Sequence, residues 1–347
     1  MGQNPDMRIG LVGYGLGGRI FHAPYIAAAE GVELVGVVTG SPVRRKQLAE
    51  DFPGMAVYDS LTDLLDAGVD AVTITTPPQT RRALVLEALA RGVAVVADKP
   101  FAPNAAEGQE LVDAAEAARV PLAVFHNRRW DTDLRTLRDV LDGGELGSVR
   151  RVESRFDLDS PETIDPGPNG GVLRDLGAHL ADQLLWLLGP VTQVYAALDW
   201  IEMPEGRTDT GFTVTMRHLA GPVSTMVAGK ANHARGRELR VYAEAGSYRS
   251  TMGDVQTEAI LAGRRPVLEG DRWGYADEAE WGTLSTAGGV DRVPSSRGAY
   301  QDFYSEFARA VAGEGDLPVT GAEAVRTLRV LDAAQLSDST GQAVPIS

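Results

Sequence analysis

The sequence predicts an α/β chain of two domains, a doubly wound parallel sheet followed by an α/β domain whose sheet is mainly antiparallel. Three observations predict it. At 347 residues the chain exceeds one ordinary compact core. Residues 7 to 126 alternate short apolar runs with amphipathic helical stretches. Beyond about residue 147 strand patterns follow one another with few helices between them.

The first-half runs are Arg8–Val12, Glu33–Val38, Ala71–Thr75, Ala94–Ala97 and Leu122–Phe125, with a weaker one at Ala56–Tyr58. Their length and Val/Ile content suit parallel strands buried on both faces. Thr80–Ala90 carries apolar residues at helical spacing, and Ser41 and Ser60 stand where helix N-caps are needed. Strand alternating with helix implies right-handed crossovers and a doubly wound sheet. In the second half the strand patterns are Gly147–Asp157, Val191–Trp200, Gly211–Arg217, Pro222–Lys230 and Glu238–Glu244. Turns at Leu219-Ala220-Gly221-Pro222 and Ala245-Gly246-Ser247 separate several of them. A last helix spans 321–337. The expected domains are 1–126 and 127–347, with helix 321–337 packing back on the first.

Composition narrows the function. The formal charge is −15, from 48 acidic and 33 basic residues, which disfavours nucleic acid or an anionic membrane as partner. No stretch reads as a membrane span or a signal peptide. The chain has no cysteine, so a thiolate nucleophile and cysteine metal sites are excluded, and a reducing, cytoplasmic setting is expected. Lysine occurs only at Lys46, Lys99 and Lys230; where it stands, an ammonium is more pointedly required than in a lysine-rich chain.

Gly13-Tyr14-Gly15-Leu16-Gly17-Gly18 follows the first strand and opens a helical stretch, the context that gives G-x-G-x-x-G its meaning as a dinucleotide turn. Gly13 permits the tight turn, Gly15 lets backbone approach a pyrophosphate, and Gly18 lets helix and strand pack closely. The helix N-terminus presents N–H groups to the anion. The second strand ends in Val38-Thr39-Gly40-Ser41-Pro42-Val43-Arg44-Arg45-Lys46, without the acid that usually holds the ribose of NAD. Ser41, Arg44 and Arg45 could hold a 2′-phosphate there, which points to NADP ahead of NAD. The same residues also read as an N-cap and a solvated basic face.

Three further motifs follow: Thr75-Thr76-Pro77-Pro78 after the fourth strand, Asp98-Lys99-Pro100 after the fifth, and Asp175-Leu176-Gly177-Ala178-His179 opening a later helix. With the glycine turn, in this order and spacing, they resemble the Gfo/Idh/MocA family of sugar and inositol dehydrogenases over about residues 7 to 336. Phe21-His22-Ala23-Pro24 and His126-Asn127-Arg128-Arg129-Trp130-Asp131 are similar to the NADP-dependent scyllo-inositol dehydrogenases within it. The resemblance implies a Rossmann domain, a second domain on an open antiparallel sheet used in oligomerisation, and hence a homodimer or homotetramer. It implies hydride transfer between NAD(P) and a secondary hydroxyl or ketone of a cyclitol or sugar. Asp98 stands where the family has Glu, and Gln79-Thr80-Arg81 where it commonly has a histidine.

Lys99 matches the lysine of the family's Glu-Lys-Pro, and Asp175 and His179 match its Asp-x-x-x-His pair. Lys99 follows a strand end, where ligands bind open parallel sheets, and Pro100 holds its backbone extended or permits a cis bond. Asp175, His179, Asp182 and Trp186 fall on one helix face, beside a stripe of Leu176, Leu180, Leu184 and Leu187. His179 is the expected acid/base, Lys99 the group polarising the reacting oxygen, and Asp175 the residue orienting His179 or the substrate. Thr39, Thr75, Thr76, Pro77, Asp98 and Asn127 are expected cofactor contacts along with Leu16 and Gly17 of the turn. Arg128, Trp130, Arg155 and Tyr300 are expected substrate contacts. His22 reads as structural or cofactor-adjacent. No second histidine lies at ligand spacing, so no metal is expected. The alternatives are a family member cleaving glycosides through bound NAD, and a non-catalytic dinucleotide sensor.

Overall fold

The computed structural model describes residues 7–346, which group into two units. The first comprises the chain to Asn127 together with Gln256–Trp273 and Ala299–Val325. The second comprises Arg128–Val255, Gly274–Gly298 and the chain from Arg326 onward. A single division at 126/127 therefore falls one residue before the chain first leaves the first unit, to which it later returns twice. The physical reason is an aromatic core: Trp273 and Tyr300 pack on Tyr25, and Phe303 and Tyr304 pack on Phe125. The terminal helix runs Gly321–Thr340, longer than expected, and the division between Val325 and Arg326 falls inside it.

The first unit holds six parallel strands: β1 Met7–Val12, β2 Val32–Val38, β3 Val57–Tyr58, β4 Ala71–Ile74, β5 Ala94–Asp98 and β6 Leu122–Phe125. Their order is β3-β2-β1-β4-β5-β6, so the strand order reverses between β1 and β4, where this topology opens its ligand crevice. β4 to β6 are buried almost throughout, which explains their unalternating apolar runs. The helices between them start where the caps predict. Ser41 Oγ accepts Arg44 N–H at the head of Pro42–Asp51, and Ser60 Oγ accepts Asp63 N–H at 3.1 Å before Leu61–Asp66. Asn104 Oδ1 likewise accepts Glu107 N–H at 2.9 Å.

The second unit is built on nine strands: β7 Val149–Asp157, β8 Val191–Met203, β9 Gly206–His218, β10 Val223–Gly229, β11 Gly236–Ala243, β12 Gly246–Ser250, β13 Gly282–Thr286, β14 Gly289–Val293 and β15 Val344–Pro345. The order is β14-β13-β12-β11-β7-β10-β9-β8-β15. Every pairing is antiparallel except β7 with β10. The sheet is therefore mixed, because the helix Ala178–Leu188 intervenes between β7 and β8. β12 to β15 escape a sequence reading because they are short and carry little apolar alternation. On β7, Val152, Ser154 and Phe156 point into the core while Arg151 and Arg155 are exposed. Leu176, Leu180 and Leu184 are buried as the stripe predicts.

Candidate active site

The glycine turn is shaped by contacts within the chain. Gly13 has φ +103°, and a Cβ on it would stand 2.7 Å from Thr75 Oγ1. A Cβ on Gly18 would stand 2.1 Å from Gly13 O, so helix and strand could not close on any other residue. Gly15 differs. Its φ is not positive, and a Cβ there would meet nothing nearer than Arg44 Nη2 at 3.5 Å. Neither strain nor internal packing demands glycine at 15; a bare turn approached from outside by a pyrophosphate does. The residues thus fit a dinucleotide. Gly17–His22 then forms a π-turn where a regular helix was expected. Leu16 is 70% exposed. Thr75 Oγ1 donates to Gly13 O at 3.0 Å, so its hydroxyl supports the turn from within. Pro77 lies exposed as the N-cap of Pro78–Ala90.

β5, next but one to the glycine strand, ends in Asp98-Lys99-Pro100, and the Lys99–Pro100 bond is cis. Arg81 wires this loop. Its guanidinium is buried and donates to the carbonyls of Thr76, Asp98 and Pro100. Burial pulls its pKa down to about 10. Where a histidine is the family habit, this chain thus keeps a structural clamp. Asp98 Oδ1 accepts Lys99 N–H at 2.8 Å and lies 3.4 Å from His22 Nε2, while Oδ2 lies 3.3 Å from where a Cβ on Gly17 would stand. Burial alone would raise the Asp98 carboxyl, yet the His22 ring, Arg81 and Lys99 pull it down to about 2. His22 Nδ1 in turn meets Tyr304 Oη at 2.5 Å, and its ring packs on Phe125. Lys99 is half-buried, carried by a loop whose polar groups are held by other residues.

At the end of β2, Thr39 is buried, with its N–H on Tyr58 O and its carbonyl on Arg45 Nε. Arg45 also pairs with Asp59. Arg44 is exposed, with its guanidinium over the bare face of Gly15. Of the two arginines, only Arg44 therefore faces the turn. Arg19 is held by Asp51, which also accepts Tyr14 Oη–H at 2.8 Å.

In the second unit, Asp175 lies in a π-turn, Leu173–Gly177, and His179 in the first turn of the helix that follows. Asp209 fixes the start of this segment. Its carboxylate accepts Leu173 N–H at 2.7 Å and fills the space that a side chain on Gly171 would need. Burial pushes the Asp209 carboxyl up to about 6 despite these bonds. His179 is 6% exposed. Asp175 pairs with Lys230 at 2.7 Å.

Several of these side chains are engaged within the chain, and Tyr300 is corrected to core. Arg128 is buried, pairs with Asp131 at 3.1 Å and Asp254 at 2.8 Å, and stacks on Phe156. Asp133 joins this buried cluster through Arg237, and burial pushes its carboxyl up. Arg129 grips Asp182 with two bonds of 2.9 and 2.7 Å, so Asp182 belongs to the fold. Trp130 is buried and offers little surface to a sugar ring. Tyr300 is fully buried against Tyr25, with its N–H on Gln256 Oε1; it is core. Arg155 is exposed but tied to Asp157. Asn127 is buried just beyond β6. Thr76 gives its carbonyl to Arg81. Among the described residues no group of three or more His, Cys, Asp or Glu is gathered to hold a metal ion, and no helix is long and apolar enough to cross a membrane.

Sequence reasoning passed over Asp209 and gave no role to Lys230 or Arg81. Lysine rarity was the available signal for Lys230 and the departure from the family's histidine for Arg81; nothing in the sequence ties Asp209 to Leu173. Both π-turns among the described residues fall on expected functional segments, as such turns often do.

Comparison with known proteins bears on the family and the fold. Residues 7–126 match the family described as oxidoreductase family, NAD-binding Rossmann fold, and residues 134–249 match the GFO/IDH/MocA C-terminal domain. The scyllo-inositol 2-dehydrogenase (NADP(+)) IolW of Bacillus subtilis is 29% identical over 95% of this chain and 93% of its own. The uncharacterized oxidoreductase YdgJ of Escherichia coli K12 is 32% identical over 95% and 96%. The solved structure of the oxidoreductase yvaA of Bacillus subtilis matches with a TM-score of 0.90 at 28% identity, covering 99% of each chain. The chain belongs to the Gfo/Idh/MocA family of NAD(P)-dependent oxidoreductases.

Proposed function

We propose that the chain moves a hydride between nicotinamide and a secondary hydroxyl, or the matching ketone, of a cyclitol or sugar ring, with NADP preferred. The observation that carries the reading is Lys99: a half-buried ammonium at the carboxyl end of β5, on a loop whose own polar groups are met by Arg81 and Asp98, with Asp98 against the glycine turn. The name of the Bacillus relative supports the substrate class.

Bound nicotinamide would supply the hydride acceptor or donor. Lys99 stabilises negative charge growing on the reacting oxygen. His179 takes or returns that oxygen's proton through its imidazole. Asp175 holds His179 or a ring hydroxyl in place. The cofactor preference rests on Arg44 facing the turn and on the missing acid at the end of β2. The test is a panel of inositols and aldoses assayed with NADP and NAD in parallel. Turnover of ring polyols, faster with NADP, supports the reading; turnover of none, with firm dinucleotide binding, contradicts it.

A further inference from the structure

We infer that Lys230 is a positioning residue for Asp175, an inference that rests on the role proposed above for Asp175. Lys230 directly follows β10. Its backbone is fixed on both sides, with N–H on Thr210 O at 3.0 Å and carbonyl accepting Ser160 N–H at 3.1 Å. An ammonium has three donors and no acceptor. Here they reach Thr163 O at 3.2 Å, Thr163 Oγ1 at 2.9 Å and Asp175 Oδ2 at 2.7 Å.

That saturation decides what Lys230 can do. Its side chain is 5% exposed, and a cation with its three hydrogens committed neither takes a proton nor offers one to a substrate. Its influence passes through Asp175, whose side chain is 35% exposed and therefore reachable. A buried ammonium is tolerable only when paired, and a cation at this distance favours the ionised carboxylate. Lys230 thus turns one oxygen of Asp175 inward, against a fixed cation. The same ammonium ties Thr163 to the π-turn, so the Pro161–Thr163 segment and Asp175 keep one register.

A salt bridge serving only the fold predicts lost stability with unchanged chemistry. A positioning role predicts more. In Lys230→Met, kcat/KM on the best ring polyol should fall on the order of thirtyfold with NADPH affinity unchanged. The acid limb of its pH profile should move up by about one unit, because the carboxylate has lost its cation. Lys230→Arg, which keeps the charge, should leave the limb in place. An unmoved limb in Lys230→Met overturns the inference. A second readout needs no substrate. The loss of Tm from Lys230→Met should be clearly smaller in an Asp175→Asn background than in the wild type. Equal losses in both backgrounds also overturn the inference. If no polyol or sugar is turned over by the wild type, the function reading fails and this thermal cycle alone decides the role of Lys230.

Discussion

Two basic segments follow neighbouring strands of the same parallel sheet, and their polar groups are held in opposite ways. Asp98-Lys99-Pro100 after β5 has its carbonyls held by Arg81 and an N–H held by Asp98. Arg128-Arg129-Trp130 after β6 does its own wiring: Arg128 goes to Asp131 and Asp254, Arg129 to Asp182, and Trp130 into the core. Both segments hold expected ligand contacts in the sequence, Lys99 in the first and Arg128 and Trp130 in the second. What separates them is which residue satisfies the polar demands of the loop. In the first segment other side chains hold the loop's backbone groups, and in the second the segment's own arginines are bound to carboxylates.

Removing each cation should therefore cost different things. The largest effect is expected from Lys99→Ala, in which kcat should fall by about a thousandfold or more while an NADPH titration stays within about threefold of the wild type. Near-wild-type turnover would place Lys99 beside Arg128 and Arg129 as structure. On the other side, Asp182→Ala strands the buried Arg129 guanidinium and should destabilise the fold by about 3–5 kcal/mol in urea unfolding. A loss below about 1 kcal/mol, the range of exposed pairs, would mean that Arg129 is free for a ligand after all.

Asp209 sharpens the contrast through pH. Its folded-state pKa of about 6 lies above the ordinary 3.8, so the folded chain keeps a proton that the unfolded chain releases. That contribution is complete below about 3.8, is lost as pH rises through about 6, and amounts to no more than about 3 kcal/mol. Asp209→Asn should therefore flatten the fall in stability between pH 4 and pH 7, and an unchanged slope would show that the carboxyl is already ionised when folded. The smallest effect is expected at Arg44, which faces solvent. Arg44→Ala should weaken NADPH by about tenfold and leave NADH unchanged; an equal loss for both would assign Arg44 to the pyrophosphate or adenine instead.

How much of this was legible in the sequence follows from the range of the interactions. Gly13, Gly15 and Gly18, the caps Ser41 and Ser60, and the strands β1 to β6 are local features, set by spacing and by single-residue steric demands. The mixed second sheet was legible only in its longer strands, since β12 to β15 lack apolar alternation. Arg128 and Tyr300 were hard to place for one reason: they meet partners far away in the chain, Asp254 with Arg128 and Tyr25 with Tyr300. The π-turn at Leu173–Gly177 left no mark because one extra residue in a turn changes no composition. Lys230 was visible as a rare lysine, but its bond to Asp175 was not.

The central claim is that this chain passes a hydride to and from a ring carbon. Its most direct test is reduction of a cyclitol ketone with NADPH deuterated at C4, using each epimer in turn, and mass analysis of the polyol. The account predicts that one epimer delivers a single deuterium to the product, that the other delivers none, and that Lys99→Ala forms almost no product. Unlabelled polyol from both epimers, or no reduction by the wild type, would contradict it.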